Sequence, residues 1–111
     1  MEFRKITAII RLDRAEQVEL KLKSLGVPGM SCTHVNGYGE YADFYSADWK
    51  VKHARVEIFI PANQVREIVD AIIEEAGSGT SGDGIIAVLP IEHLYHIRTG
   101  RDADETESRD D

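Results

Sequence analysis

The sequence predicts a single α+β domain with the element order β-α-β, loop, β-α-β. Three observations predict it. Four stretches (5–12, 30–38, 51–60 and 85–89) are either almost continuously apolar or alternate with period two, as strands do. Two stretches between them space their apolar residues at three and four, which lines one face of a helix. The third observation is Gly77-Ser78-Gly79-Thr80-Ser81-Gly82-Asp83-Gly84, four glycines in eight residues, between the second helix and the last strand.

In the first half, Ile6, Ala8, Ile9, Ile10 and Leu12 form a strand buried on both faces. Asp13 and Glu16 have the spacing of a capping box for a helix reaching Leu25, with Val18, Leu22 and Leu25 on its inner face. Gly26 and Pro28 stop it. Met30–Tyr38 alternates as a second strand and closes on Gly37-Tyr38-Gly39. Residues 40–50 carry Tyr41, Phe44, Tyr45 and Trp49 among acids, an aromatic content too high for a passive linker. A local hydrophobic cluster and a partner-binding loop both fit that content.

In the second half, Val51–Ile60 puts Lys52, Ala54, Val56, Ile58 and Ile60 on one face and Val51, His53, Arg55, Glu57 and Phe59 on the other. Asn63 is placed to cap a helix over 64–76, with Val65, Ile68, Val69, Ile72 and Ile73 as its core stripe. Ile85–Leu89 is the last strand, stopped by Pro90. Ile91–Leu94 reads as a helical turn and Tyr95–Arg98 as extended. Two βαβ halves of similar length make a ferredoxin-like split βαβ sheet (βαββαβ) with both helices on one face. Nothing in the chain is left to cover the other face, so the sequence predicts an oligomer.

Net charge is −7, and Arg101–Asp111 supplies −4 of it with six acids against two bases. The chain therefore divides into a folded domain, 1–100, and an acidic tail, 101–111, with no large apolar residue to bury. The acidic balance argues against nucleic acid as a partner. A single cysteine, Cys32, an N-terminus without a signal-peptide layout, and no apolar run near the roughly 18 residues that span a bilayer predict a cytoplasmic protein.

No residue stands out as a catalytic nucleophile or base, so no enzyme is predicted. Uncovered backbone N–H groups in the glycine stretch can cradle an anion, although a flexible loop has the same composition. Arg98 could pair with phosphate, or simply end a strand in solvent. Four histidines, His34, His53, His93 and His96, leave a metal-binding protein as the alternative, although no standard zinc motif is present.

Several short motifs, in order, resemble the PII signalling family. They are Lys5-Ile6-Thr7-Ala8-Ile9-Ile10-Arg11, Gly29-Met30-Ser31, Gly37-Tyr38-Gly39, Gly82-Asp83-Gly84 and Ile97-Arg98-Thr99-Gly100. The resemblance runs from about Lys5 to Gly100. It implies a homotrimer with adenine nucleotide in clefts between subunits. Ser31, Gly37, Tyr38, Gly39, Glu57, Gly82, Asp83, Gly84 and Arg98 match the family's nucleotide-binding positions. It also implies a T-loop at 40–50, where Tyr41, Phe44, Tyr45 and Trp49 would meet a target protein.

The departures from the family pattern narrow this. Thr80, Ile85 and His96 stand where the family has cations around the phosphates, so ADP or AMP should be favoured over ATP. The loop is several residues shorter than usual. Glu40-Tyr41 replaces the family's Arg-Gln, and His53 replaces a lysine at the loop's base, so the family's 2-oxoglutarate site is not supported. The sequence is more similar to divergent PII-like proteins. Some of these are associated with carboxysomes or bicarbonate transport, which implies bicarbonate as second effector, with Glu40, Tyr41, His53 and Arg55 as candidate contacts. The target would then be a membrane transporter or a carboxysome-related protein. Other divergent members are linked to heavy-metal efflux, and CutA-like trimers share the architecture, which keeps the metal-responsive alternative open. No obligatory cofactor and no metal ligand are assigned.

Overall fold

A computed structural model describes residues 2–35, 52–79 and 82–103, with Val35 described by its backbone alone. Its elements are β1 (Phe3–Arg11), α1 (Ala15–Ser24), β2 (Ser31–Val35), β3 (His53–Pro61), α2 (Val65–Ala76) and β4 (Gly84–Ile91). The four strands form one sheet in the order β2-β3-β1-β4, with every neighbouring pair antiparallel. This is the ferredoxin-like split βαβ arrangement expected from the element order.

Strand parity decides which residues face the helices. Ile6, Ala8 and Ile10 of β1 stand opposite Ile58, Val56 and Ala54 of β3. All are buried, and Ile6, Ala8, Ile10, Val56, Ile58 and Ile60 cluster with Val18 and Leu22 of α1 and Ile68, Ile72 and Ala76 of α2. The two helices also pack against each other. β1 and β3 are the two inner strands of the sheet, and the apolar run of β1 matches that position.

The element ends differ from the sequence reading in specific ways. A 3-10 turn precedes each helix, Leu12–Arg14 before α1 and Ala62–Gln64 before α2. Neither helix has a side-chain N-cap. Asp13 and Asn63 lie inside these turns, and Asp13 accepts instead from Arg11 Nε at 3.4 Å. The turns offer their own carbonyls to the first helical N–H groups: Ala15 bonds to Leu12 and Val65 to Ala62. The α1 terminus follows expectation: Gly26 N bonds Lys23 O and Val27 N bonds Leu22 O, a Schellman pair. In α2, Ile73 is exposed, and Ala71 and Ala76 are buried, so the stripe turns toward the alanines.

β4 continues through Pro90 to Ile91, which an edge strand tolerates because a missing N–H there costs no ladder bond. Residues 91–94 are not helical, and 97–99 form a turn and not a strand. Tyr95 and Asp102 pair in a single antiparallel bridge, His96 N bonds Arg101 O, and Gly100 N bonds His96 O. Asp102 is buried and accepts from His93 Nδ1 at 2.7 Å. The carboxylate that a charge count assigns to the tail thus closes the last turn of the domain.

Candidate functional site

The glycine stretch is shaped from within by Asp83. Its Oδ2 accepts from the backbone N–H groups of Ser78 (2.7 Å) and Gly79 (2.8 Å), and its Oδ1 from the Ser78 hydroxyl. A bare carboxylate beside a phosphate would repel it. These three donors, counted among the described residues, spread that charge and turn the carboxylate into a brace for the loop.

Gly84 joins the loop to the sheet. Its φ is +108°, and a Cβ there would lie 1.7 Å from the Ile9 carbonyl oxygen. Only glycine lets β4 begin at this separation from β1. Ile85 follows, half-buried and opposite Ile9, so an apolar side chain occupies the position where the family carries a lysine. An apolar cleft of about 430 Å³ opens between α2 and β4, lined by Ile72, Ile73 and Val88 and ending at Asp83 and Gly84.

Gly82 is buried, and its carbonyl accepts from His53 Nε2 at 2.9 Å. A carbonyl only accepts, so the proton sits on Nε2. His53 is itself 1% exposed. The neighbouring Lys52 carbonyl accepts from Leu12 N at 2.8 Å, which ties the start of β3 to the end of β1.

The sheet face away from the helices carries a charged cluster. Glu57 Oε2 lies 3.2 Å from Lys5 Nζ and 3.9 Å from Arg55 Nε, and accepts from the Thr7 hydroxyl at 3.5 Å. Ser31 stands opposite Glu57 on β2. Strand pairing thus brings together Ser31, Arg55 and Glu57, three of the residues singled out from the sequence. Lys5 and Thr7 were not singled out; their period-two alternation on β1 was the signal that could have added them.

Arg98 projects from the C-terminal turn, exposed and with no ion pair among the described residues. Gly100 makes that turn with φ +71°, which accounts for a glycine after Ile97-Arg98-Thr99. Gly37, Tyr38, Gly39, Glu40, Tyr41, Phe44, Tyr45, Trp49 and Thr80 lie outside the described residues. The four histidines do not converge: His53 is committed to Gly82 and His93 to Asp102. Among the described residues, no group of three or more His, Cys, Asp or Glu side chains could hold a metal ion. No helix among them is long and apolar enough to cross a membrane.

Comparison with known proteins places this arrangement. The family model described as nitrogen regulatory protein P-II matches residues 3–101. The chain belongs to the P-II family. Its relatives include the nitrogen regulatory protein P-II of Nostoc punctiforme, 35% identical over 104 residues, which cover 87% of this chain and 93% of that one. The P-II homolog of Arabidopsis thaliana is 32% identical over 114 residues, covering 96% of this chain but 58% of the relative's length. Among solved structures, Arabidopsis thaliana PII bound to citrate superposes with a TM-score of 0.78 at 35% identity, covering 94% of this chain and 91% of that one. P-II proteins are homotrimeric signal-transduction proteins that bind small effectors and act on target proteins; they are not enzymes.

Proposed function

We propose that this P-II protein senses adenine nucleotide, favouring ADP or AMP over ATP, in the clefts between the subunits of a trimer. The observation that carries the reading is the braced glycine loop. Asp83 and Gly84 fix its path; Asp83 takes the N–H groups of Ser78 and Gly79, and in this reading the loop's other N–H groups meet the phosphate. Ser31, Glu57 and Arg98 belong to the same cleft or to the neighbouring subunit's side of it. Gly37, Tyr38 and Gly39 complete the loop's side.

The preference for fewer phosphates follows from charge. Ile85 packs into β4, Thr80 is neutral, and His96 replaces an arginine, so a terminal phosphate meets fewer cations. Bicarbonate is the second effector in this reading, held by Arg55 or by backbone donors near Glu40 and Tyr41. Nucleotide and bicarbonate act by population shift, binding one state of the 40–50 loop more tightly than another. That loop, through Tyr41, Phe44, Tyr45 and Trp49, meets a target in inorganic carbon metabolism, a transporter or a carboxysome-related protein, in the cytoplasm.

A thermal-shift screen of AMP, ADP, ATP and divalent metals, each with and without bicarbonate, tests this. The reading expects the largest stabilisation from ADP or AMP and a further rise with bicarbonate. Stabilisation by metal with no nucleotide response would overturn it in favour of a metal-binding protein.

A further inference from the structure

We propose that His53 is a positioning residue for the glycine loop, orienting the Gly82–Asp83 peptide so that the loop's donors face a bound phosphate. This deepens the nucleotide reading and rests on it. By resemblance alone His53 is a candidate effector contact, at a position where the family carries a lysine. The structure gives it a different neighbour.

The peptide plane sets the geometry. In a trans peptide the C=O and the following N–H point in opposite directions. His53 Nε2 holds the Gly82 carbonyl at 2.9 Å from within the fold, where the ring is 1% exposed. Fixing that carbonyl turns the Asp83 N–H to the far side of the peptide, away from the ring. One buried hydrogen bond thus sets the direction of a backbone donor in the loop.

The surroundings leave the peptide little room to rotate. Gly84 is locked by its approach to the Ile9 carbonyl, where even a methyl group would collide. Asp83 is held to Ser78 and Gly79 by three hydrogen bonds. His53 is fixed in turn, because it opens β3 opposite Arg11 and follows Lys52, whose carbonyl is bonded to Leu12. Glycine at 82 would otherwise let the peptide flip at small steric cost. A buried donor at 53 removes that freedom, because flipping would leave both the imidazole N–H and the carbonyl without this bond.

Imidazole suits this place better than an ammonium. The partner is a carbonyl in a buried setting, which one N–H satisfies; the ring N–H at Nε2 supplies that donor, whereas an ammonium brings three. His53 therefore links the strand that follows the 40–50 loop to the peptide that would face the phosphates.

Nitrogen-15 NMR of the ligand-free protein, joined to ADP titration of His53→Gln and His53→Ala, tests the proposal. Long-range couplings in the wild-type ring should show the Nε2–H tautomer. His53→Ala should raise amide exchange at Asp83 and Gly84 about tenfold, the loss of one hydrogen bond, with β1 amides unchanged. It should weaken ADP by a similar factor. His53→Gln, whose amide can still donate, should recover most of both. An Nδ1–H tautomer, or loop amides indifferent to His53→Ala, would overturn the inference whether or not nucleotide binds. Wild-type protein that ignores ADP while its loop amides respond to His53→Ala would overturn the nucleotide reading and the phosphate-facing role, leaving His53 as a brace for the loop alone.

Discussion

Arg98 and Gly84 bear on the account in opposite ways, one through a ligand and one through the fold. Arg98 is exposed and free of ion pairs among the described residues, so removing its guanidinium disturbs little within the chain. Arg98→Ala should weaken ADP by about 1.5–3 kcal/mol, the value of a charged hydrogen bond, with an unchanged melting temperature; calorimetry reads the first and a thermal scan the second. Gly84→Ala should do the reverse first. Its methyl would lie on the Ile9 carbonyl at a φ that L-residues avoid, at a cost of about 3 kcal/mol or more in denaturant unfolding. The sequence shows that these residues matter but not how. A glycine-rich run announces an anion loop, yet nothing in its order says that Asp83 folds back on Ser78 and Gly79. Nor can it say that His53, 29 positions upstream, holds Gly82, because that contact exists only once β3 pairs with β1.

The elements were more legible than their ends. Period-two and period-three-and-four patterns placed every strand and helix of the described fold, because burial on one face dictates those periods. Both helix starts differ from the capping pattern in the sequence for one physical reason. Both junctions run strand, 3-10 turn, helix with matching backbone angles: φ −62°, ψ 136° at Arg11 and φ −60°, ψ 145° at Pro61. The turn supplies backbone acceptors, so no side-chain cap is needed and Asp13 and Asn63 are released from that role. The same junction in both halves is the structural trace of the repeated βαβ unit. Energetically, α2 depends on its buried stripe and not on its caps. Ile72→Ala, at a residue 1% exposed, should lower unfolding free energy by about 2–5 kcal/mol. Ile73→Ala, one position on and 56% exposed, should cost well under half of that in the same denaturation series.

At the scale of the molecule, the sheet's second face is the unfinished part of a single chain. Phe59 and Leu89 flank Lys5 across the strands and stand 46% and 40% exposed beside the Glu57 cluster. A face that mixes apolar side chains with ion pairs suits contact with copies of itself, and P-II proteins are homotrimers. Light scattering should therefore give a particle of three 12.4 kDa chains, and Phe59→Glu should shift it toward single chains. On the proposed nucleotide reading, one subunit's glycine loop and another's Arg98 would share a cleft of such a trimer. The direct test of nucleotide sensing is calorimetry of the purified trimer with ADP and with ATP. The account predicts saturable ADP binding with up to one site per chain, and weaker binding of ATP. Tighter binding of ATP, or no heat with either nucleotide, would contradict it.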